Sequence, residues 1–164
     1  MRRWVARARE MGAPDAKIVG PAGVLTAAWV RLKCQYGCDG YGQRLTCPPF
    51  SPTAGETRAV LDEYRHLLLV HGGPWRSVTK IVTRIEREAF LEGHYKAFAW
   101  GAGPCTLCRA CDTSGACTHA DRARPSMEAA GIDVYATARA AGMPIEVVRA
   151  RGERGDYYGL VALE

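Results

Sequence analysis

Apolar residues recur every three or four positions from Ser77 to Glu92, and this spacing predicts the clearest helix of the chain. Such a pattern places the apolar side chains on one face, and Gly93 follows as a stop signal. The side chains of this face are Val78, Ile81, Val82, Ile85, Ala89 and Phe90. The carboxylates Glu86, Glu88 and Glu92 on the same segment are expected to form a solvated face.

Three further helices are predicted from their start and stop signals. The first covers about residues 2–11 and ends at Gly12. The second begins at a capping box formed by Thr53 and Glu56 and runs to about Tyr64. The third covers residues 134–141, after an Asp133 cap.

Short runs of aliphatic and aromatic residues predict strands between these helices. The predicted strands are Leu25 to Lys33, His66 to His71, Tyr95 to Trp100, Ile145 to Arg149 and Tyr157 to Leu163. Because strands and helices alternate, we expect one α/β (α+β) domain over residues 1–164, with a mixed sheet and helices on at least one face. Two cysteine-rich loops follow predicted strands, so we expect them to lie close together at one edge of the sheet.

Length and composition agree with one globular domain. The chain has 164 residues, of which 48% are hydrophobic and 24% are charged. These values exclude a disordered, coiled-coil or collagen-like chain. No segment approaches the ~18 apolar residues of a membrane span, and the basic N-terminus lacks the apolar core of a secretory signal. We therefore expect a cytoplasmic protein without a membrane partner.

The charge does not favour nucleic-acid binding. The net charge is +5, but the arginines are scattered along the chain and do not form one basic stripe. Clusters held by thiolates would lower this charge further.

Seven cysteines are the unusual feature of the composition. The number is odd, no export signal precedes them, and a core of this size needs no disulfide bonds. Clustered thiols in a reducing compartment indicate metal ligands.

The most specific motif is Cys105-x2-Cys108-x2-Cys111-x5-Cys117. Three cysteines at this spacing can each reach a different iron atom of a [4Fe–4S] cluster, as in bacterial ferredoxins. Structural zinc is the alternative, although zinc sites more often use two Cys-x2-Cys pairs far apart in sequence. Unligated thiols are a further alternative.

A second constellation is Cys34-x3-Cys38-x8-Cys47, which is followed by Pro48 and Pro49. The glycines between these cysteines let the backbone approach a bulky ligand closely. The three thiolates predict a second cluster whose fourth iron is open or binds Asp39, a histidine, water or a small molecule. The alternative is two small buried side chains and one free thiol.

The partition of cysteines between two clusters stays open at this point. In two-cluster ferredoxins, the cysteine that is followed by proline serves the other cluster. Cys47 carries the proline here, so it could complete the set of Cys105, Cys108 and Cys111 in place of Cys117. Seven thiolates leave one iron of two cubanes without a cysteine, and His119 is a further candidate ligand.

Three ordered motifs resemble one prokaryotic family, whose members are described only as predicted metal-binding proteins. They are the Cys34–Pro49 segment, the Cys105–Cys117 segment and Arg124-Pro125-Ser126-Met127-Glu128-Ala129-x-Gly131-Ile132-Asp133-Val134. The resemblance covers about residues 25–142. It implies a cysteine-bound metal centre, iron–sulfur in character, in a cytoplasmic protein with an anaerobic redox role. It implies no particular reaction.

The third motif has a structural and a functional interpretation. In the structural one, which we favour, Arg124 pairs with a carboxylate, Pro125 starts a short helix and Gly131 ends it. In the functional one, Arg124 and Ser126 donate hydrogen bonds to a cluster or its ligand.

Three classes of function follow from these patterns. The first, which we favour, is a module that transfers electrons to a redox partner protein. The second is an enzyme whose three-cysteine [4Fe–4S] cluster binds a small molecule at its open iron. The third is a zinc-stabilised binding module. No phosphate-binding loop, catalytic triad or HExxH motif specifies a reaction.

Overall fold

The computed structural model describes residues 1–150 and 152–164, which form five α-helices and a four-stranded sheet. The helices are α1 (Arg2–Glu10), α2 (Trp29–Gly37), α3 (Ala54–Leu61), α4 (Trp75–Leu91) and α5 (Val134–Ala140). The strands are β1 (Asp15–Val19), β2 (Leu67–Gly72), β3 (Phe98–Trp100) and β4 (Tyr157–Ala162). The predicted α/β (α+β) class is confirmed. Among the described residues, no helix is both long and apolar enough to cross a membrane.

The sheet has the strand order β1-β2-β4-β3, and every neighbouring pair is antiparallel. The expectation of a mixed sheet is corrected in this respect. Strand β2 lies inside the sheet, and its residues 67–70 are completely buried. A continuous apolar run of this kind is typical of a strand that is covered on both faces.

Each face of the sheet has its own hydrophobic core. On one face, Leu68 and Val70 of β2 pack with side chains of α1 and α4, including Trp4 and Ile85. On the other face, Leu67 and Leu69 belong to a cluster that contains residues of α3, α5 and the segment around residue 130. The domain is therefore built from two layers of helices with the sheet between them.

Helices signalled by periodicity and caps are confirmed, with ends within about three residues of those predicted. The Thr53–Glu56 capping box is present. The Asp133 carboxylate accepts a hydrogen bond from the Ala136 backbone N–H at 2.9 Å. These signals succeed because they are local and do not depend on tertiary contacts.

Two of the predicted strands are wrong. Leu25 to Lys33 was expected to be a strand, but residues 29–37 form α2, of which only Val30 is buried. Alternation over five residues is too short to separate a strand from a helix. Residues 145–149, all described, follow an irregular path, with Ile145 in the core and Val147 and Val148 exposed. The strand predicted over Tyr95 to Trp100 is confirmed only for β3.

One predicted consequence of the fold concerns acid stability. The Arg7 guanidinium donates two hydrogen bonds of 2.9 Å to the Glu88 carboxylate, which joins α1 to α4. These bonds, with help from Arg84, lower the pKa of Glu88 from 4.5 to about 2. A depressed pKa stabilises the fold above pH 4.5, and the stabilisation disappears as the pH falls towards 2.

We therefore expect Glu88→Gln to lower the free energy of unfolding at pH 7 and to leave it unchanged near pH 2. Urea unfolding at several pH values measures this difference. Glu63→Gln, which changes an exposed carboxylate, is the control and should show no such trend. A Glu88→Gln deficit that is equal at both pH values would contradict the prediction.

Candidate metal centre

Cys34, Cys38 and Cys47, the three-cysteine set, are brought together by the C-terminal end of α2 and the loop after it. Cys34 lies within the last turns of α2, and Cys38 is its C-cap residue. The sulfur atoms of Cys38 and Cys47 both lie 3.5 Å from the position that a Cβ atom at Gly40 would take. The Gly40 backbone N–H also donates to the Cys38 sulfur at 3.4 Å. A side chain at residue 40 would contact both sulfurs, so glycine keeps this cradle open for a ligand.

A cavity of about 410 Å³ opens beside the three-cysteine set. Its walls include all three cysteines, the glycine and proline that precede Cys105, and Glu128. The remaining wall is largely apolar and aromatic, with side chains such as Trp29, Ile132 and Tyr135. A cavity of this size is suited to a small molecule.

The surroundings of this set disfavour thiolates when no cation is bound. Burial, followed by the nearby Cys38 and Glu128, raises the pKa of Cys34 to about 11. Burial, followed by the nearby Cys38, also raises the pKa of Cys47. A bound metal supplies the positive charge that such thiolates require, and so metal binding and thiol deprotonation are coupled here.

The four-cysteine set consists of Cys105, Cys108, Cys111 and Cys117. All four are half-buried and line one narrow cleft together with His119. The other wall of this cleft is formed by residues 44–46, which directly precede Cys47. The prediction that the two cysteine loops lie together is therefore confirmed, although the first loop follows a helix and not a strand.

The donor types of both sets fit an iron–sulfur cluster or zinc, since each set offers only soft thiolates at its centre. Within the described part of the chain, no three Cys, His, Asp or Glu side chains already converge closely enough to hold a metal ion.

The loop after the four-cysteine set is anchored to α4 by a buried ion pair. Arg124 donates to both carboxylate oxygens of Glu86 at 2.7 to 2.9 Å, and the two side chains are 15% and 9% exposed. Arg124 also donates to the carbonyls of Ala120 and Ala123. The predicted pairing of Arg124 with a carboxylate is confirmed. The expectation that Glu86 is solvated is wrong, because it lies beside Ile85 at the border of the apolar face.

Ser126 is buried two residues before a 3-10 turn over Glu128–Ala130. Its hydroxyl accepts a hydrogen bond from the Ala129 backbone N–H at 3.0 Å. The helix expected to start at Pro125 thus begins three residues later, and Gly131 ends it in a left-handed conformation, as predicted.

Hydrogen bonds fix this 3-10 turn to both sides of the three-cysteine set. The Ser51 hydroxyl donates to the Ala129 carbonyl at 2.6 Å, and the Ser51 backbone N–H donates to the Cys47 carbonyl at 3.1 Å. On the side of α2, the Ala27 backbone N–H donates to the Gly131 carbonyl at 2.9 Å. The turn therefore has a fixed position relative to Cys34 and Cys47.

Gly131 is the critical position of the turn. Its φ is +75°, and a Cβ atom there would lie 2.7 Å from the Ala54 Cα atom. We expect Gly131→Ala to lower the free energy of unfolding by about 3 kcal/mol, as backbone strain and a steric clash act together. Gly12→Ala is the matched control, because its φ is +93° but no atom lies within 4 Å. Denaturant unfolding should show a loss of only about 1 kcal/mol for the control; equal losses would contradict the steric argument.

A groove of about 680 Å³ runs along α4 and reaches Cys105 and Leu107 of the second loop. Its α4 wall carries the exposed cations Arg76, Lys80 and Arg87. This end of the four-cysteine set is thus bordered by positive charge.

Glu128 was not identified as a site residue from the sequence. It lies inside the third motif, but a single glutamate in a predicted short helix carries no distinguishing signal. Only the tertiary fold shows that it faces the same cavity as the three-cysteine set.

The model of one protein family, described as Predicted metal-binding protein (DUF2284), matches residues 17–163. No curated protein and no solved structure matches the chain.

Proposed function

Because the chain belongs to the predicted metal-binding protein family DUF2284, we propose that it is a cytoplasmic iron–sulfur protein that transfers electrons to a partner protein. The observation that carries the proposal is the arrangement of its seven thiols. Four of them line a narrow cleft, and three line an adjoining cavity. This arrangement supports one fully ligated [4Fe–4S] cluster and a second cluster with one iron free of cysteine.

The four-cysteine set suits electron transfer. A cluster there would supply one-electron redox chemistry, and its four thiolates leave no iron open to substrate. The half-buried cysteines keep the site near the surface, where a partner can approach. In the functional interpretation of the third motif, Arg124 and Ser126 would donate hydrogen bonds to a cluster or its ligand.

The partner that this surface favours is an acidic redox protein. The cations of α4 line the same groove as Cys105 and Leu107, so a negatively charged partner would be drawn towards this end of the four-cysteine set. Charge attraction of this kind speeds association and weakens with salt.

A second candidate function is chemistry on a small molecule at the three-cysteine set. The observation that favours it is the cavity of about 410 Å³ with largely apolar walls. A metal centre with an open coordination position beside such a cavity can bind and polarise a substrate.

Purification without oxygen, followed by analysis of iron, sulfide and zinc, tests the proposal. We expect a brown protein with iron and inorganic sulfide in similar amounts and two cluster signals in the reduced state. Stoichiometric zinc with negligible sulfide would overturn it in favour of a zinc-stabilised binding module. A single cluster, with the three-cysteine set found as free thiols, would leave only the electron-transfer site.

Addition of cyanide or sulfide to the reduced protein separates the two candidate functions. A shift of one cluster signal supports small-molecule binding at an accessible iron. Two unchanged signals support electron transfer alone.

A further inference from the structure

Glu128 lies on the wall of the cavity into which Cys34, Cys38 and Cys47 open. It is close enough to Cys34 for its charge to act on that thiol. The carboxylate thus shares this cavity with the three cysteines.

Burial raises the pKa of this carboxyl, and only its own backbone N–H and the Ser126 hydroxyl act in the opposite direction. Among the described residues, no lysine or arginine forms an ion pair with Glu128, and Lys33, a cation on the same cavity, is exposed. A carboxylate beside an apolar cavity is costly unless a cation compensates its charge. A metal centre held by the three thiolates would be such a cation.

The position of Glu128 is fixed by the fold. Its turn is hydrogen-bonded to the Cys47 loop through Ser51 and to the segment before α2 through Gly131. A ligand on a rigid element needs little reorganisation when the metal binds.

The alternatives considered from the sequence are less well placed. Asp39 is exposed, and its side chain is not among those that line the cavity of the described structure. His119 lines the cleft of the four-cysteine set.

We infer that Glu128 supplies the fourth, oxygen ligand of the metal centre held by Cys34, Cys38 and Cys47. This inference rests on the proposed function, because it assumes that the three-cysteine set holds a metal. It explains how seven cysteines serve two four-ligand sites.

The test compares Glu128→Gln with the wild-type protein, both purified without oxygen. Loss of the carboxylate charge should leave one iron weakly held, so controlled oxidation should release it about tenfold faster or more. The signal of the three-cysteine cluster should change, and the signal of the four-cysteine cluster should not. Iron release and electron paramagnetic resonance report these two results independently of any activity.

Glu146→Gln is the matched control, because Glu146 lines the same cavity but is exposed. It should behave as the wild type does. Glu128→Asp keeps the charge and shortens the side chain by one methylene. It is the second test variant if Glu128→Gln fails to fold, and it should also release iron faster than the wild type. Wild-type iron release in both Glu128 variants, or the loss of one iron in Asp39→Asn instead, would overturn the inference.

Different results would contradict the iron–sulfur proposal and the role of Glu128. If the wild-type protein holds clusters but Glu128→Gln is indistinguishable from it, only the role of Glu128 falls. If the wild-type protein holds zinc, the iron–sulfur proposal falls, and retention of zinc against a chelator decides whether Glu128 is a ligand. If the anaerobic protein holds no metal, both fall.

Discussion

Replacing Cys108 by Ser is expected to remove the cluster of the four-cysteine set, together with about half of the bound iron and sulfide. Cys108 is the middle cysteine of the Cys-x2-Cys-x2-Cys run, and a hydroxyl is a much weaker ligand for iron than a thiolate. Binding of a cluster contributes to the folding free energy, so the variant should also unfold at lower temperature. Anaerobic metal analysis and thermal unfolding measure both effects.

Thr118→Ser, a conservative change in the same loop, is the control and should keep both clusters. Cys38→Ser should remove the other signal and leave the four-cysteine cluster in place. Full iron and sulfide content in Cys108→Ser would contradict the prediction.

The same kind of variant shows which cysteines bind each of the two clusters. If the sets are those seen around the two cavities, Cys47→Ser should affect only the signal that Cys38→Ser affects. If Cys47 instead completes the set of Cys105, Cys108 and Cys111, Cys47→Ser should resemble Cys108→Ser.

Arg124→Ala is expected to lower the free energy of unfolding of the metal-free, reduced protein by about 3–5 kcal/mol. The substitution leaves the buried Glu86 carboxylate without its partner, and burial already raises the pKa of that carboxyl. It also removes the hydrogen bonds that hold the Ala120 and Ala123 carbonyls. Urea unfolding measures the loss.

Arg84→Ala provides the comparison, because Arg84 is 62% exposed in its pair with Glu88. We expect that change to cost no more than about 1 kcal/mol. The double variant Arg124→Met with Glu86→Leu should recover much of the lost stability, since it leaves no unpaired buried charge. An Arg124→Ala loss as small as that of Arg84→Ala would contradict the argument.

The elements that could be predicted from the sequence are those with local signals. The periodicity of α4, the Thr53 and Asp133 caps and the buried run of β2 each identify an element without reference to the rest of the chain. Strand β1 and helix α2 could not be predicted in this way. Strand β1 is a short segment that is stabilised by its pairing with β2, and the alternation before Cys34 suits a helix and a strand equally.

In the candidate site, too, only the features with local signals could be predicted from the sequence. Cysteine spacing predicts two sets of thiols, because ligands of one cluster are often close in sequence. The sequence does not indicate that Thr46 and Cys47 border different cavities, that Glu86 is buried, or that Glu128 and Cys34 line the same cavity. Those relations join residues that are 38 or more positions apart or depend on the path of a loop, and only the packed fold establishes them.

The adjacency of the two cysteine sets has a consequence for the order in which electrons enter. Cys105 of the four-cysteine set is near enough to Cys47 of the three-cysteine set that a negative charge on it contributes to the raised pKa of Cys47. If both sets hold clusters, an electron added to one makes the second reduction harder, because like charges repel across a short, partly desolvated distance. Two otherwise similar centres would then accept electrons one after the other at separate potentials, so the protein would release single electrons and not pairs.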